Sequence, residues 1–583
     1  MSARYVPVGW TPAKRAYDAV LLMGTLGYLF AFLKLAPMLG GEAAAMDAAS
    51  LAIKAYGSCA LLLLSLALAI GPLTRIDRRF LPLLYNRRHL GVVTFLVAAS
   101  HAMAVVGWHF SFSAVDPLVA MLSSEGGALP FVPLGVLALL VLAVLAATSH
   151  DFWLSFLTPA AWKALHMAIY PAYALAIGHV ALGALRDEGS PALAAVVVAA
   201  AIAVAGLHLL AALKPLPAAA PGVEWVRAGR AEAVPEGRAI IVRPPGGEPV
   251  AIFRHQGRLS AVTNLCAHQN GPLGEGRIVD GCITCPWHGF QYRPEDGCAP
   301  PPYTERLATY NLRLDGPWLL LDPRPNPPGT RVEPLAVPGM GAPGGGDFFI
   351  GWARGLPAGL RAVMLPAALL MLLGFPALGL ALGALAGDPA GGERFAAGTL
   401  PDLPATGRYE GVVIAAPYPL LQLADRTLLL ARDGKLGAHP EARAMHGRLV
   451  RAEGYILRRG AIEMLVLAEP PMPIEGRATL PRAEPLGRWR IQGEICDGKC
   501  AAGGMRPGTG IGHRACATLC LDGELPAVFV PTRPVAGHTV MVLGDVQGRP
   551  ALPAMRDLVG LRVTLEGEVE RIGSVAIFRA MRP

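Results

Sequence analysis

Six apolar stretches crowd into the first 213 residues, at 16–36, 50–72, 90–109, 130–149, 162–183 and 191–213. A helix needs about 20 apolar residues to cross the hydrocarbon core of a bilayer, so this run predicts a six-helix transmembrane domain over residues 1–213. Lys14 and Arg15 precede the first stretch as they would in a signal peptide. The stretch is too long for one and lacks a cleavage site, so it reads as an anchor.

Bulk properties agree. Hydrophobic residues make up 53% of the 583 against 16% charged, and a mean hydropathy of +0.43 is too apolar for a soluble enzyme. The length predicts several domains. A net charge of +8 does not call for a nucleic-acid partner, because membrane proteins keep Lys and Arg in their cytoplasmic loops. Arg4, Lys14 and Arg15 at the amino terminus, and Arg75, Arg78, Arg79, Arg87 and Arg88 after the second stretch, face Glu42, Asp47, Asp116 and Glu125 in the alternate loops. The amino terminus is therefore expected inside the cell.

Six crossings return the chain to the cytoplasm near Lys214. Residues 214–322 then hold a short linker and a soluble domain of β-type segments, followed by a Pro/Gly-rich linker over 323–358. A seventh transmembrane helix is expected at 359–386, with Arg354 and Arg361 before it and Asp388 and Glu393 after it, which sends the remainder outside, into a periplasm. There the segments beginning Gly447-Arg-Leu-Val and Gly560-Leu-Arg-Val echo one another. They predict two OB-like β-barrel modules, 405–470 and 486–582, the second with a Cys-rich insertion.

Within the soluble domain, Cys266-Ala-His268 is followed after sixteen residues by Cys285-Pro-Trp-His288. Thiolates suit one iron of a [2Fe–2S] cluster and neutral imidazoles the other, and a Cys and a His from each of two loops clamp both. The zinc alternative, a Cys2His2 site, normally uses C-x2–4-C spacing, from which Cys266-Ala-His268 departs. Gly271, Pro272 and Gly289 supply tight turns.

The stretch from Asn264 to Pro302 resembles Rieske domains of the ferredoxin and ring-hydroxylating oxygenase kind. The resemblance implies an all-β fold with Cys266, His268, Cys285 and His288 as cluster ligands. The disulfide and Ser of high-potential Rieske proteins are replaced by Gly271, Trp287 and Phe290, while Tyr292 stands where the family's cluster-bonding Tyr would be. A low to intermediate potential, roughly −150 to +100 mV, is expected.

Imidazoles in a bilayer are costly and usually functional. The third stretch carries His101, with His89 at its cytoplasmic end, and the fifth carries His166 and His179. These helices run the same way, so His89 matches the depth of His166 and His101 that of His179, two levels about 18–20 Å apart. Ideal helices would not put either pair on one face, so bends are required. Arg87 to His101, Thr148 to Asp151 and Trp162 to His179 look like the ferric reductase-like transmembrane domain of NADPH oxidases and of the haem subunit of the periplasmic methionine sulfoxide reductase system. That resemblance implies haem b, one or two, on His101, His166 and His179. His89, not clearly at a ligand position of the family, is the further candidate for a second haem, and His109, His150 and His208 read as interfacial or structural.

Cys496, Cys500, His513, Cys516 and Cys520 cluster in the insertion of the second barrel. They suit either a metal or, in an oxidising periplasm, two disulfides.

These parts predict a multidomain membrane protein that passes single electrons between a cytoplasmic partner, a Rieske cluster and membrane haems, toward a quinone, a metal or a periplasmic acceptor. No dinucleotide-binding fingerprint in a strand–turn–helix setting is read from the sequence, so the donor is expected to be a separate reductase or ferredoxin. A Rieske oxygenase is disfavoured, because no His lies between Gly289 and His439 to hold a mononuclear iron and the barrels offer only His439, His446, His513 and His538. The remaining alternative is a membrane-anchored metal-binding or assembly module whose barrels bind a partner.

Overall fold

The computed structural model describes residues 12–40, 48–84, 86–111, 131–149, 159–185, 191–213, 225–268, 271–286, 289–301, 303–337, 358–386, 405–505, 508–552 and 554–582, with a few single residues between 43 and 153. Among these, six helices are long and apolar enough to cross a membrane: Pro12–Met38, Ala48–Ile76, Arg87–Phe110, Ala164–Leu182, Pro191–Leu213 and Arg361–Ala384. A further apolar helix, Phe131–Ala147, has 17 residues, about 26 Å, the short end of what a bilayer accepts. Pro12 and Pro191 open their helices, where a missing N–H costs nothing.

Two of these helices are irregular, though His89 and His101 share the regular α-helical part Arg87–Val105 of the third. Arg87–Phe110 ends in a π-helical turn, Val106–Phe110. The fifth apolar stretch, counted above as Ala164–Leu182, carries a turn at 167–168 between Pro159–His166 and Ile169–Leu182. His166 and His179 thus belong to different helical pieces, and the rotation expected along one straight helix does not apply to them.

The helix Arg361–Ala384 lies along Pro12–Met38. A Cβ on Gly379 would fall 2.7 Å from the Tyr28 carbonyl, and one on Gly383 2.7 Å from Ala36 Cβ. Small residues four apart let helix backbones approach this closely in lipid.

Residues 225–337 form three small antiparallel sheets. Val226–Arg230, Trp318–Leu321 and Leu312–Asp315 make one. Ala239–Val242, Val250–His255 and Arg258–Thr263 make the second, and Arg277–Val279, Cys282–Thr284 and Gln291–Tyr292 the third. The linker expected from residue 323 starts later. Leu335–Ala336 pairs with Leu259 and Arg258, and the Val332 N–H donates to the Glu295 carbonyl, so this Pro-rich segment wraps the domain as an edge. Proline's tolerance at sheet edges makes such a segment look like a linker in sequence.

The carboxy-terminal half holds two sheets that share a five-strand topology, the first with a sixth short strand, Met472–Pro473, added beside Leu449–Arg459. In the first, Gly407–Ile414, Leu420–Gln422, Thr427–Arg432, Ile462–Leu467 and Leu449–Arg459 follow in spatial order, and the last pairs back to the first. In the second, Glu484–Asp497, Ala527–Pro531, Met541–Gly544, Val575–Met581 and Arg562–Ile572 close a barrel. In each, the third strand in sequence pairs parallel with the fifth, as OB-type closure requires. One core runs through both, joining Leu429 and Met464 to Ile495 and Phe529.

These β regions sit at opposite ends of Arg87–Phe110. At its start, Leu84 packs against the core that contains Cys266 and Cys285. At its end, Phe110 packs on Ala515 and Leu519, and Lys435 Nζ donates to the Ser111 carbonyl at 2.6 Å. The helix has 24 residues, about 36 Å of rise.

Candidate metal centres

The first site is built by two turns of the β domain. The Cys266 N–H donates to the Gly271 carbonyl at 2.9 Å, and the Cys285 N–H to the Phe290 carbonyl at 2.8 Å. Gly289 has φ of +71°, which lets the second turn close behind its cysteine. Cys266, Cys285 and His268 are all buried, and the His268 ring stacks on Phe290 with centroids 5.1 Å apart. His288 lies outside the described residues. Tyr292 O–H donates to Cys266 Sγ at 3.3 Å. Burial, and then the Cys266 sulfur, push the Tyr292 pKa well above the ordinary value, so the phenol stays a donor. Buried soft donors with a hydroxyl aimed at one sulfur fit a [2Fe–2S] cluster.

The second site lies between the helices. The rings of His101 and His179 stand 6.2 Å apart between centroids. With metal–nitrogen bonds of about 2.0 Å, two imidazoles on one ion sit about 6.3 Å apart. Each ring is oriented by a backbone carbonyl. His101 Nδ1–H donates to Ile53 at 2.9 Å and His179 Nδ1–H to Phe131 at 2.8 Å, which fixes the tautomer and leaves each Nε2 a lone pair for metal.

Two glycines absent from the sequence-based expectations make room. A Cβ on Gly57 would lie 3.0 Å from His101 Nδ1, and one on Gly135 2.7 Å from His179 Nδ1. Nothing in one sequence marks these glycines, because each faces its histidine from another helix. A mainly apolar cavity of about 620 Å³ surrounds the pair, within the range of cofactor sites. Two fixed imidazoles in such a cavity are residues that would hold a haem iron.

His166 and His89 are held separately. His166 Nδ1–H donates to the Trp162 carbonyl at 3.0 Å, its ring stacks on Trp162 at 3.8 Å, and its Nε2 is buried without a hydrogen-bond partner among the described residues. His89 Nδ1 lies 2.9 Å from the Asp18 carboxylate, a hydrogen-bond partner that its sequence position did not reveal. His208 has a structural role, accepting from Tyr170 O–H at 3.1 Å and donating to the Val204 carbonyl.

Contacts join the first site to the helices. Arg88 Nη2 lies 3.4 Å from His268 Nε2, and the same guanidinium stands 5.7 Å over the Trp162 ring. His268, Arg88, Trp162 and His166 therefore follow one another from the β domain into the bundle.

The third site lies where the outer cluster is expected, and none of its cysteines is disulfide-bonded in this structure. Cys500, Cys516 and Cys520 group together, as do His109, His513 and Cys516, with ligand atoms within 4.8 Å of one another. Cys496 is not in these groups, and its Sγ donates to Glu494 Oε1 at 3.1 Å. His109, read from sequence as interfacial, enters the site from the π-helical turn, and Met505 Sδ lies 3.6 Å from Cys516 Sγ. The sulfhydryls of Cys500 and Cys520, with His513 and His109, draw the Cys516 thiol well below its ordinary pKa despite burial. Burial leads in raising Cys500 and Cys520.

The fold and these sites define a membrane-bound redox protein. By its sequence the chain belongs to the Rieske [2Fe–2S] domain family, matched over residues 224–311, and it joins that domain to a ferric reductase-like transmembrane component over residues 56–177. It is 37% identical over 75 residues to the anthranilate 1,2-dioxygenase ferredoxin subunit of Burkholderia cepacia, covering 12% of this chain and 68% of that one. It is 33% identical over 140 residues to the protein-methionine-sulfoxide reductase heme-binding subunit MsrQ of Caulobacter vibrioides, covering 24% and 63%. The ferredoxin of carbazole 1,9a-dioxygenase from Nocardioides aromaticivorans aligns in structure at 23% identity and a TM-score of 0.17, over 18% of this chain and all of that one. Of other curated relatives the chain spans 17% or 9% of their length.

Proposed function

We propose that the chain is a transmembrane electron-transfer oxidoreductase, taking single electrons from a cytoplasmic reductase or ferredoxin and delivering them to a quinone, metal or protein acceptor at the outer face. Cys266, His268, Cys285 and His288 hold a [2Fe–2S] cluster on the cytoplasmic side, and His101 and His179 hold a haem b. These groups supply reversible one-electron chemistry when bound. The protein binds them, fixes the imidazole tautomers and excludes water from the cavity.

The observation that carries this reading is the contact of Arg88 with His268. Arg88 sits on the helix that also bears His101, so one rigid element links both centres. His166, stacked on Trp162 beneath Arg88, is placed to serve a second haem, with its opposing ligand unassigned. The likeness to MsrQ, a heme-binding subunit by name, supports the haem. Pyridine haemochromogen and low-temperature EPR on purified chain in detergent test the reading. It predicts a b-type haem and a Rieske signal in one preparation, and a preparation lacking haem refutes it.

A further inference from the structure

We propose that His109, His513 and Cys516, with Met505 beside them, bind one copper ion that relays electrons between the haem cavity and the outer face. The donor set is one thiolate, two imidazoles and a thioether, the combination that copper electron-transfer sites use. Ligand atoms of His109, His513 and Cys516 lie within 4.8 Å of one another, and Met505 Sδ is 3.6 Å from Cys516 Sγ.

Two further observations point to an ion. The Nδ1 atoms of His109 and His513 are both buried without hydrogen-bond partners among the described residues, a costly arrangement unless something takes their lone pairs. His513 Nε2 meanwhile lies 2.9 Å from Asp497 Oδ2, with both side chains fully buried. A carboxylate bonded to the far nitrogen of a histidine is the usual support for a metal-binding imidazole. Asp497 is itself fixed by accepting from the Cys500 N–H at 2.8 Å.

Position argues for a redox ion over a structural one. A structural zinc site would draw four Cys or His donors around one centre, but no four of these ligand atoms form a group among the described residues. Instead His109, Gly512 and Ala515 line the same cavity as His101 and His179, so the site forms the outer wall of the haem pocket. One of its ligands comes from the transmembrane helix and the others from the barrel insertion. In the relay step ferrous haem iron becomes ferric and the cupric ion becomes cuprous, with no bond or proton transferred.

The site rests on the proposed haem only for this relay step. The test is copper and zinc content of full-length chain loaded anaerobically with Cu+, with haem and [2Fe–2S] content on the same samples reporting folding. The expected result is one copper per chain, a loss of at least tenfold in Cys516→Ser and in His109→Gln, and retention in Cys496→Ser. After oxidation, the Cu2+ EPR signal should bleach as the haem is reduced. Zinc in place of copper, equal copper in all variants, or copper lost from Cys496→Ser overturns the proposal. Copper bound by these residues in a chain without haem would leave the site standing and remove the relay and the function proposed above.

Discussion

Arg88 reaches His268 across the boundary between bundle and β domain, its Nη2 3.4 Å from the imidazole Nε2. A guanidinium beside a cluster ligand stabilises the reduced, more negative state of the cluster. Arg88→Gln is therefore expected to lower the reduction potential, by roughly 20–60 mV after discounting for partial exposure. A redox titration followed by EPR reads this shift. High salt should shrink it, because the guanidinium is only half-buried.

Tyr292 acts on the same centre from the other side. Its hydroxyl donates to Cys266 Sγ at 3.3 Å, a bond that strengthens as the sulfur gains electron density. Tyr292→Phe removes the donor with little change in packing and is expected to lower the potential by roughly 30–60 mV. An unchanged potential in the same titration would assign Tyr292 to packing alone.

In the bundle, the close approach of Gly135 to His179 gives a test that leaves both histidines in place. A side chain at 135 must push the His179 ring from the Phe131 carbonyl, because the new Cβ would start 2.7 Å from Nδ1. Gly135→Val is expected to cut haem content by roughly half or more. The Rieske signal should stay at the wild-type level, since residue 135 lies outside the β domain.

Much of this architecture was legible in the sequence, for physical reasons that differ from part to part. Helices such as Pro191–Leu213 announce themselves because a bilayer demands long unbroken apolar runs. The cluster loops are legible because Cys266 and His268, or Cys285 and His288, come from one short turn each. The pairing of His101 with His179 followed from matching depth, but the angle between His166 and His179 was not legible, because a turn at 167–168 interrupts the ideal helix.

What stayed hidden depends on contacts between distant segments. His109 looked interfacial because nothing near it in sequence reveals a thiolate arriving from residue 516. Met505 carried no motif at all. Cys496 was grouped with Cys500 on a C-x3-C spacing, yet it sits on the strand Glu484–Asp497 and turns toward Glu494. Local spacing misleads once a strand ends and a helix begins between two cysteines.

The central claim is that electrons reach the membrane centre through the cluster. It is tested most directly by anaerobic stopped-flow reduction of the haem with a reduced ferredoxin, comparing the wild-type chain with His268→Ala. The account predicts that the variant retains haem, loses the Rieske EPR signal and reduces its haem at least tenfold more slowly. Haem reduction at the wild-type rate in a chain without the cluster would contradict it.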